Sequence, residues 1–320
     1  MRGHSTVPWR RGRHHFQASV TGERSTGNEK AVLRFREVLK GLCEDREKRP
    51  SAAKVVPSRR TGVITDSKLR PGMLMTIREN LARLRERIEA AALKAGRRAD
   101  EITLIGVSKT HPSEAIREAY EAGLRHFGEN RVQEWETKRP RLDDLHGATW
   151  QLVGHLQSNK AGKAARLFHS VDSVDDWELA QRLNRACEGK AAGETLRVLV
   201  EVHLGGEETK TGAAEEGLEE LAEKILALER LQFRGLMCIP PYQESPEQVR
   251  PYFARLRALR DRLESRLGCK LPTLSMGMSH DFEAAIAEGA TEVRVGTALF
   301  GSRAPVKGTE KEARENTEAA

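Results

Sequence analysis

Eight short apolar runs alternate with segments of helical period between Ile102 and Gly301, and this alternation constrains the chain more than any other feature. The runs are ITLIGVSK (102–109), HFGEN (126–130), WQLVG (150–154), LFHSVDS (167–173), LRVLVEVHL (196–204), LQFRGLMCI (231–239), TLSMGMS (273–279) and EVRVGTALFG (292–301). Apolar strands separated by helices belong to a parallel sheet covered on both faces. Eight such units within the roughly 230 residues from Met73 to Arg303 suit a (β/α)8 barrel, whose usual size is about 250 residues. The rival is an open doubly wound sheet, which normally carries a Gly-rich turn after its first strand. This chain has SKTHP there. The expected fold class is therefore α/β, a single (β/α)8 TIM barrel. A helix precedes the first strand: Ile77, Leu81, Leu84, Ile88, Ala91 and Ala92 recur at helical spacing, and Gly96 stops it.

Charge divides the chain into two parts. Residues 1–72 hold 17 Lys and Arg against 7 Asp and Glu. That net of +10 exceeds the +7 of the whole chain, which leaves −3 for residues 73–320. The basic character belongs to the leading segment, so nucleic-acid binding is not expected of the barrel. Residues 1–72 are polar and basic around one amphipathic stretch, KAVLRFREVLKGLCEDREK, and their composition predicts a largely disordered extension. A start at Met73 or Met75 is the other reading of this segment. The barrel is expected over residues 73–304, followed by a charged tail over 305–320. No apolar run approaches the ~20 residues of a membrane span, and no apolar h-region follows the N-terminal basic residues. These features predict a cytoplasmic protein. Cys43, Cys187, Cys238 and Cys269 form no C-x-x-C pair, which argues against a zinc site or a disulfide framework.

In a barrel of this kind chemistry gathers at the C-terminal ends of the strands. Those ends supply Lys109, Glu129 with Asn130, Gly154 with His155, Asp172 with Ser173, His203, Met237 with Ile239, Ser279, and Arg294 with Gly296 and Thr297. Burying an unpaired ammonium is costly. A lysine that closes an apolar strand is therefore either solvated or uses its amine. Loops after strands 7 and 8 often hold phosphate. Gly296 permits close backbone approach, Thr297 offers an amide and a hydroxyl, and Ser279 offers a hydroxyl. As plain helix caps the same residues need no ligand. An amine facing a phosphate cradle suits pyridoxal 5′-phosphate (PLP), held as a Schiff base on Lys109. Arg294 would face the pyridine nitrogen. An arginine cannot accept the ring proton, so the ring would stay unprotonated and be a weaker electron sink.

The stretches VSKT, FGENRVQE, GHLQSNK, HSVDS, EETKTG, RGLMCIPP, LSMGMSHDFEAAI and VRVGTALFG lie in order along nearly the whole barrel. Through them the chain from about Met73 to Arg303 resembles the pyridoxal phosphate homeostasis family of the YggS/PROSC type. That family is similar to the N-terminal barrel of alanine racemase, PLP fold type III. The resemblance implies that Lys109 is the Schiff-base lysine and that Asn130 and Met278 line the cofactor. It implies that Ser279, Gly296 and Thr297 cradle the phosphate and that Arg294 faces the pyridine nitrogen. Two positions depart from the family: Gln151 stands where histidine is usual, and His203 where asparagine is usual. Lys160 and Lys210 are further family-like lysines, read as surface residues that could attract phosphate.

The resemblance implies a non-catalytic protein of vitamin B6 homeostasis that buffers PLP or passes it to PLP-dependent apo-enzymes, and it is compatible with a monomer. Alanine racemases add a β-domain and a tyrosine acid/base. Here Tyr120, Tyr242 and Tyr252 fall in helix or loop contexts, so no catalytic residue is expected. Two alternatives stay open. One is a single-barrel PLP-dependent amino-acid racemase with Lys109 as one base and His203 or a bound water as the other. The other is a nucleic-acid-interacting protein acting through residues 1–72.

Overall fold

The computed structural model describes residues 75–191, 193–205 and 211–301. The expected extension, the tail over 305–320, Cys43 and Lys210 lie outside the described residues. The strands are β1 (Thr103–Val107), β2 (His126–Glu129), β3 (Thr149–Leu152), β4 (Ser170–Val174), β5 (Leu196–Glu201), β6 (Leu231–Met237), β7 (Thr273–Ser275) and β8 (Glu292–Val295). Each pairs in parallel with its sequence neighbour, and β8 pairs with β1 to close the barrel. The helices are α1 (Ile77–Lys94), α2 (Ser113–Glu121), α3 (Val132–Lys138), α4 (Ala161–Leu167), α5 (Trp177–Ala186), α6 (Leu218–Leu226), α7 (Pro246–Leu267), α8 (Phe282–Ala287) and α9 (Thr297–Phe300). The expected (β/α)8 barrel is the observed one.

Strand side chains alternate between two environments, as a period of two requires. Leu104, Phe127, Trp150, Val198, Leu274 and Val293 join the helices in one continuous outer core. Ile105, Val107, Val153, Leu199 and Met237 are equally buried but lie outside that core, and they fill the barrel interior. A side chain at Gly128 would press on Ile105, Val107 and Val153 there. The interior also has a polar floor. Arg197 donates to Glu292 at 2.5 Å, and the Ser170 hydroxyl donates to Asp172. Burial, with Glu292 beside it, pushes the Asp172 carboxyl up to about 7.

Helix α1 buries the six apolar residues its spacing predicts. A reciprocal Thr76–Glu79 capping box starts it. It packs on α2, α8 and α9, over the seam where β8 meets β1. Its Asn80 amide donates to the Leu299 carbonyl at 3.0 Å, which ties α1 to α9.

Two strands are shorter than their apolar runs. Strand β7 ends at Ser275, because Gly277 takes a φ of 93° and a Cβ there would stand 2.6 Å from the Ala285 Cβ. Strand β8 ends at Val295, and Thr297–Phe300 turns into α9. Ser279 therefore lies in the loop before α8 and not at a strand end.

Candidate functional site

Lys109 occupies the turn that follows β1 and is half-buried. Its successor Thr110 has a φ of 65°. A β-branched residue in the left-handed region costs on the order of 1–3 kcal/mol, so surrounding contacts must hold it. They come from β2 and α3. The Thr110 N–H donates to Glu134 Oε1 at 2.5 Å. Lys138 Nζ donates to the Ser108 carbonyl at 2.8 Å and to Glu129 Oε1 at 3.0 Å, and pairs with Glu134 Oε1 at 2.6 Å. The Ser108 hydroxyl donates to Glu129 Oε1 at 2.7 Å. Burial raises the Glu129 carboxyl against the opposing pull of Lys138. Burial alone would raise Glu134 too, but Lys138 and the Thr110 N–H hold it below its ordinary value. Glu129, a candidate from its strand-end position, is bonded to α3 on the outer side of β2 and does not face the mouth.

Arg294 is buried and pinned from two sides. Its Nη1 donates to the Ser275 hydroxyl at 2.7 Å and its Nη2 to the Cys238 carbonyl at 2.8 Å. The following residue that points inward is Gly296, where a Cβ would stand 3.3 Å from the Val107 carbonyl. The backbone after β8 thus lies against the end of β1, two residues before Lys109. The loops after β7 and β8 are joined by Ser279, whose hydroxyl accepts from the Ala298 N–H at 3.4 Å. Asp281 fixes the β7 loop by accepting from the Met278 N–H at 2.5 Å. Met278, Ser279 and Gly296 are half-buried and Thr297 is exposed.

Asn130 follows β2 and is half-buried. Its backbone lies on Gly154, where a Cβ would come within 2.5 Å of the Asn130 carbonyl oxygen. Ser173, another strand-end candidate, donates to the Gly154 carbonyl at 2.8 Å and braces that wall. Asp172 and Met237 are fully buried, Asp172 in the polar floor, and Ile239 is partly exposed. His203 is half-buried beyond β5, and its N–H donates to the Ala213 carbonyl. Lys160 is half-buried in a short turn before α4. His155 Nδ1 stands 3.3 Å from Asp175 Oδ2 at the ends of β3 and β4. Burial raises the Asp175 carboxyl and His155 lowers it, with a net upward shift. Burial also raises Glu201 at the end of β5, opposed chiefly by Arg294.

The strand ends show Lys109 and Arg294 but not the cluster of Glu134, Lys138 and Thr110. The available signal was the four-residue spacing of Glu134 and Lys138 on one helical face.

The residues present fit PLP. A primary amine follows β1, and the buried Arg294 guanidinium is fixed by Ser275 and Cys238. Bare backbone at Gly296 and hydroxyls at Ser279 and Thr297 suit a phosphate.

The family model of the alanine racemase N-terminal domain matches residues 74–304. A pyridoxal phosphate homeostasis protein of Aquifex aeolicus is 50% identical over 229 residues, which cover 70% of this chain and 97% of that protein. The pyridoxal phosphate homeostasis protein of Escherichia coli K12 is 42% identical over 234 residues, 71% of this chain and 97% of its own. PipY of Synechococcus elongatus, solved with PLP bound, superposes with a TM-score of 0.63 at 42% identity, covering 71% of this chain and all of PipY. With this fold, this set of strand-end residues and these relatives, the chain belongs to the alanine racemase N-terminal domain family and, within it, to the pyridoxal phosphate homeostasis proteins.

Proposed function

We propose that the chain serves PLP homeostasis by holding PLP on Lys109 as a store and donor, without turning over a substrate. The observation that carries this reading is the half-buried set of Lys109, Asn130, Met278, Ser279 and Gly296 above the buried Arg294. PLP, when bound, supplies an aldehyde that condenses with a primary amine and releases water. Lys109 is that amine. Ser279, Thr297 and the backbone at Gly296 hold the phosphate, and Asn130 and Met278 line the ring. Arg294, already fixed by Ser275 and Cys238, presents a donor to the ring nitrogen and leaves no proton there. Half-buried site residues leave the mouth accessible, which suits exchange with PLP-dependent apo-enzymes.

Borohydride reduction of the PLP-loaded protein, followed by peptide mapping, tests the assignment. The label is expected on Lys109 and is lost in Lys109→Ala. A protein that takes up no PLP overturns the proposal.

One observation favours a second reading, an amino-acid racemase. The His155–Asp175 pair is an acid/base couple at the same end of the barrel. Conversion of L-alanine to D-alanine above the rate of free PLP, abolished by His155→Ala, would establish it and displace the store.

A further inference from the structure

The Lys138 cluster grips the chain on both sides of Lys109. Lys138 is nearly buried, and its ammonium meets three oxygens: the Ser108 carbonyl, Glu129 Oε1 and Glu134 Oε1. An ammonium has three donors, so this coordination is complete. One of its partners, the Ser108 carbonyl, begins the peptide that leads into Lys109. Another, Glu134, accepts from the N–H of Thr110, which leaves Lys109. The residue so held is Thr110 at its left-handed φ of 65°, a conformation a threonine does not keep unaided. The Ser108 hydroxyl closes the cluster through Glu129.

We infer that Lys138 and Glu134 are positioning residues: through Ser108 and Thr110 they hold the backbone that presents the Lys109 amine for covalent loading. The inference rests on the reading that Lys109 carries PLP. Neither Lys138 nor Glu134 is among the residues proposed to hold PLP. Their loss leaves the phosphate cradle on β7 and β8 intact and lets the amine wander.

The test separates binding from covalent capture. Pyridoxine 5′-phosphate has the ring and phosphate but no aldehyde, so its affinity reports the cradle alone. Covalent loading is followed by absorbance after mixing with PLP and by borohydride trapping on Lys109. In Lys138→Met the loading rate is expected to fall roughly 10- to 100-fold, the scale of a misplaced reacting group, while affinity for the analogue stays within about twofold. Adding Thr110→Gly to Lys138→Met restores much of the rate, because glycine takes the left-handed conformation without bracing. If Lys138→Met loads at the wild-type rate, or loses loading and analogue affinity together, the positioning role is wrong and the PLP assignment stands. If the wild type forms no trapped adduct on Lys109, that assignment fails and the positioning role goes with it. Should Lys138→Met show no cooperative unfolding, Glu134→Gln decides by the same two measurements, since it keeps the shape and removes the charge.

Discussion

Arg294 illustrates how one side chain can be structural and chemical at once. Its two nitrogens satisfy the Ser275 hydroxyl and the Cys238 carbonyl deep in the barrel, and its charge opposes the burial of Glu201. Arg294→Met keeps the apolar volume and removes the donors. A buried polar group left without its partner costs about 1–3 kcal/mol, so urea unfolding should show a loss of at least that size. An unchanged midpoint would mean that the guanidinium is dispensable to the fold. Gly154 is a second residue whose identity follows from its neighbours. The Cβ of alanine there would stand 2.5 Å from the Asn130 oxygen and 2.8 Å from its Cα, both backbone atoms. Gly154→Ala must therefore move the strand end that carries Asn130. Overpacking of this kind costs about 1–3 kcal/mol. PLP titration should show weaker binding alongside the lower melting temperature, and a loss of stability with unaltered binding would remove Asn130 from the site.

Among the elements, α3 and α4 matter most for what surrounds Lys109. They lie over an aromatic stack in which Trp135 meets Trp150 at 3.9 Å between ring centroids, with Phe127 and Phe168 on either side. The Trp135 indole N–H donates to the Leu167 carbonyl at 3.1 Å, which ties α3 to the end of α4. Trp135→Ala should cost about 3–5 kcal/mol. Calorimetry should then find Tm lowered by roughly 2–4 °C for each of them. With α9, whose residues lie inside the eighth apolar run, these two helices are also where the sequence was least informative. At seven residues each, Val132–Lys138 and Ala161–Leu167 are too short for a helical period to stand out. The 18-residue α1 was legible to the residue, since its buried positions repeat over five turns. Strand positions were legible because barrel strands are apolar on both faces. Strand ends were not, because Gly277 and Gly296 stop β7 and β8 through backbone conformation inside runs that remain apolar. Lys109 and Arg294 could be found by their place at strand ends. The role of Lys138 depends on a turn at Thr110 that no pattern of side chains announces.

The whole barrel balances its charged interior against pH. Burial raises Asp172 to about 7, and it also raises Glu129, Glu201 and Asp175. A carboxyl whose folded value lies above its unfolded one binds its proton more tightly when folded. Its stabilising share is complete below the unfolded value of 3.8 and is lost as pH rises toward about 7. His126 and His169 act in the opposite sense: burial lowers both, so their share is lost as pH falls through 6.5 and below. The total slope therefore mixes signs, but a single variant isolates one group. Asp172→Asn keeps an acceptor for the Ser170 hydroxyl and removes the titration. Relative to wild type, its stability should climb by up to roughly 1.4 kcal/mol per pH unit between about 4 and 7, then level off. The histidines and the other carboxyls are common to both proteins and cancel in the difference. Urea unfolding at a series of pH values measures that difference directly. Curves that stay parallel across the window would show that Asp172 is ionised throughout, with Arg197 and Arg294 compensating its burial in full.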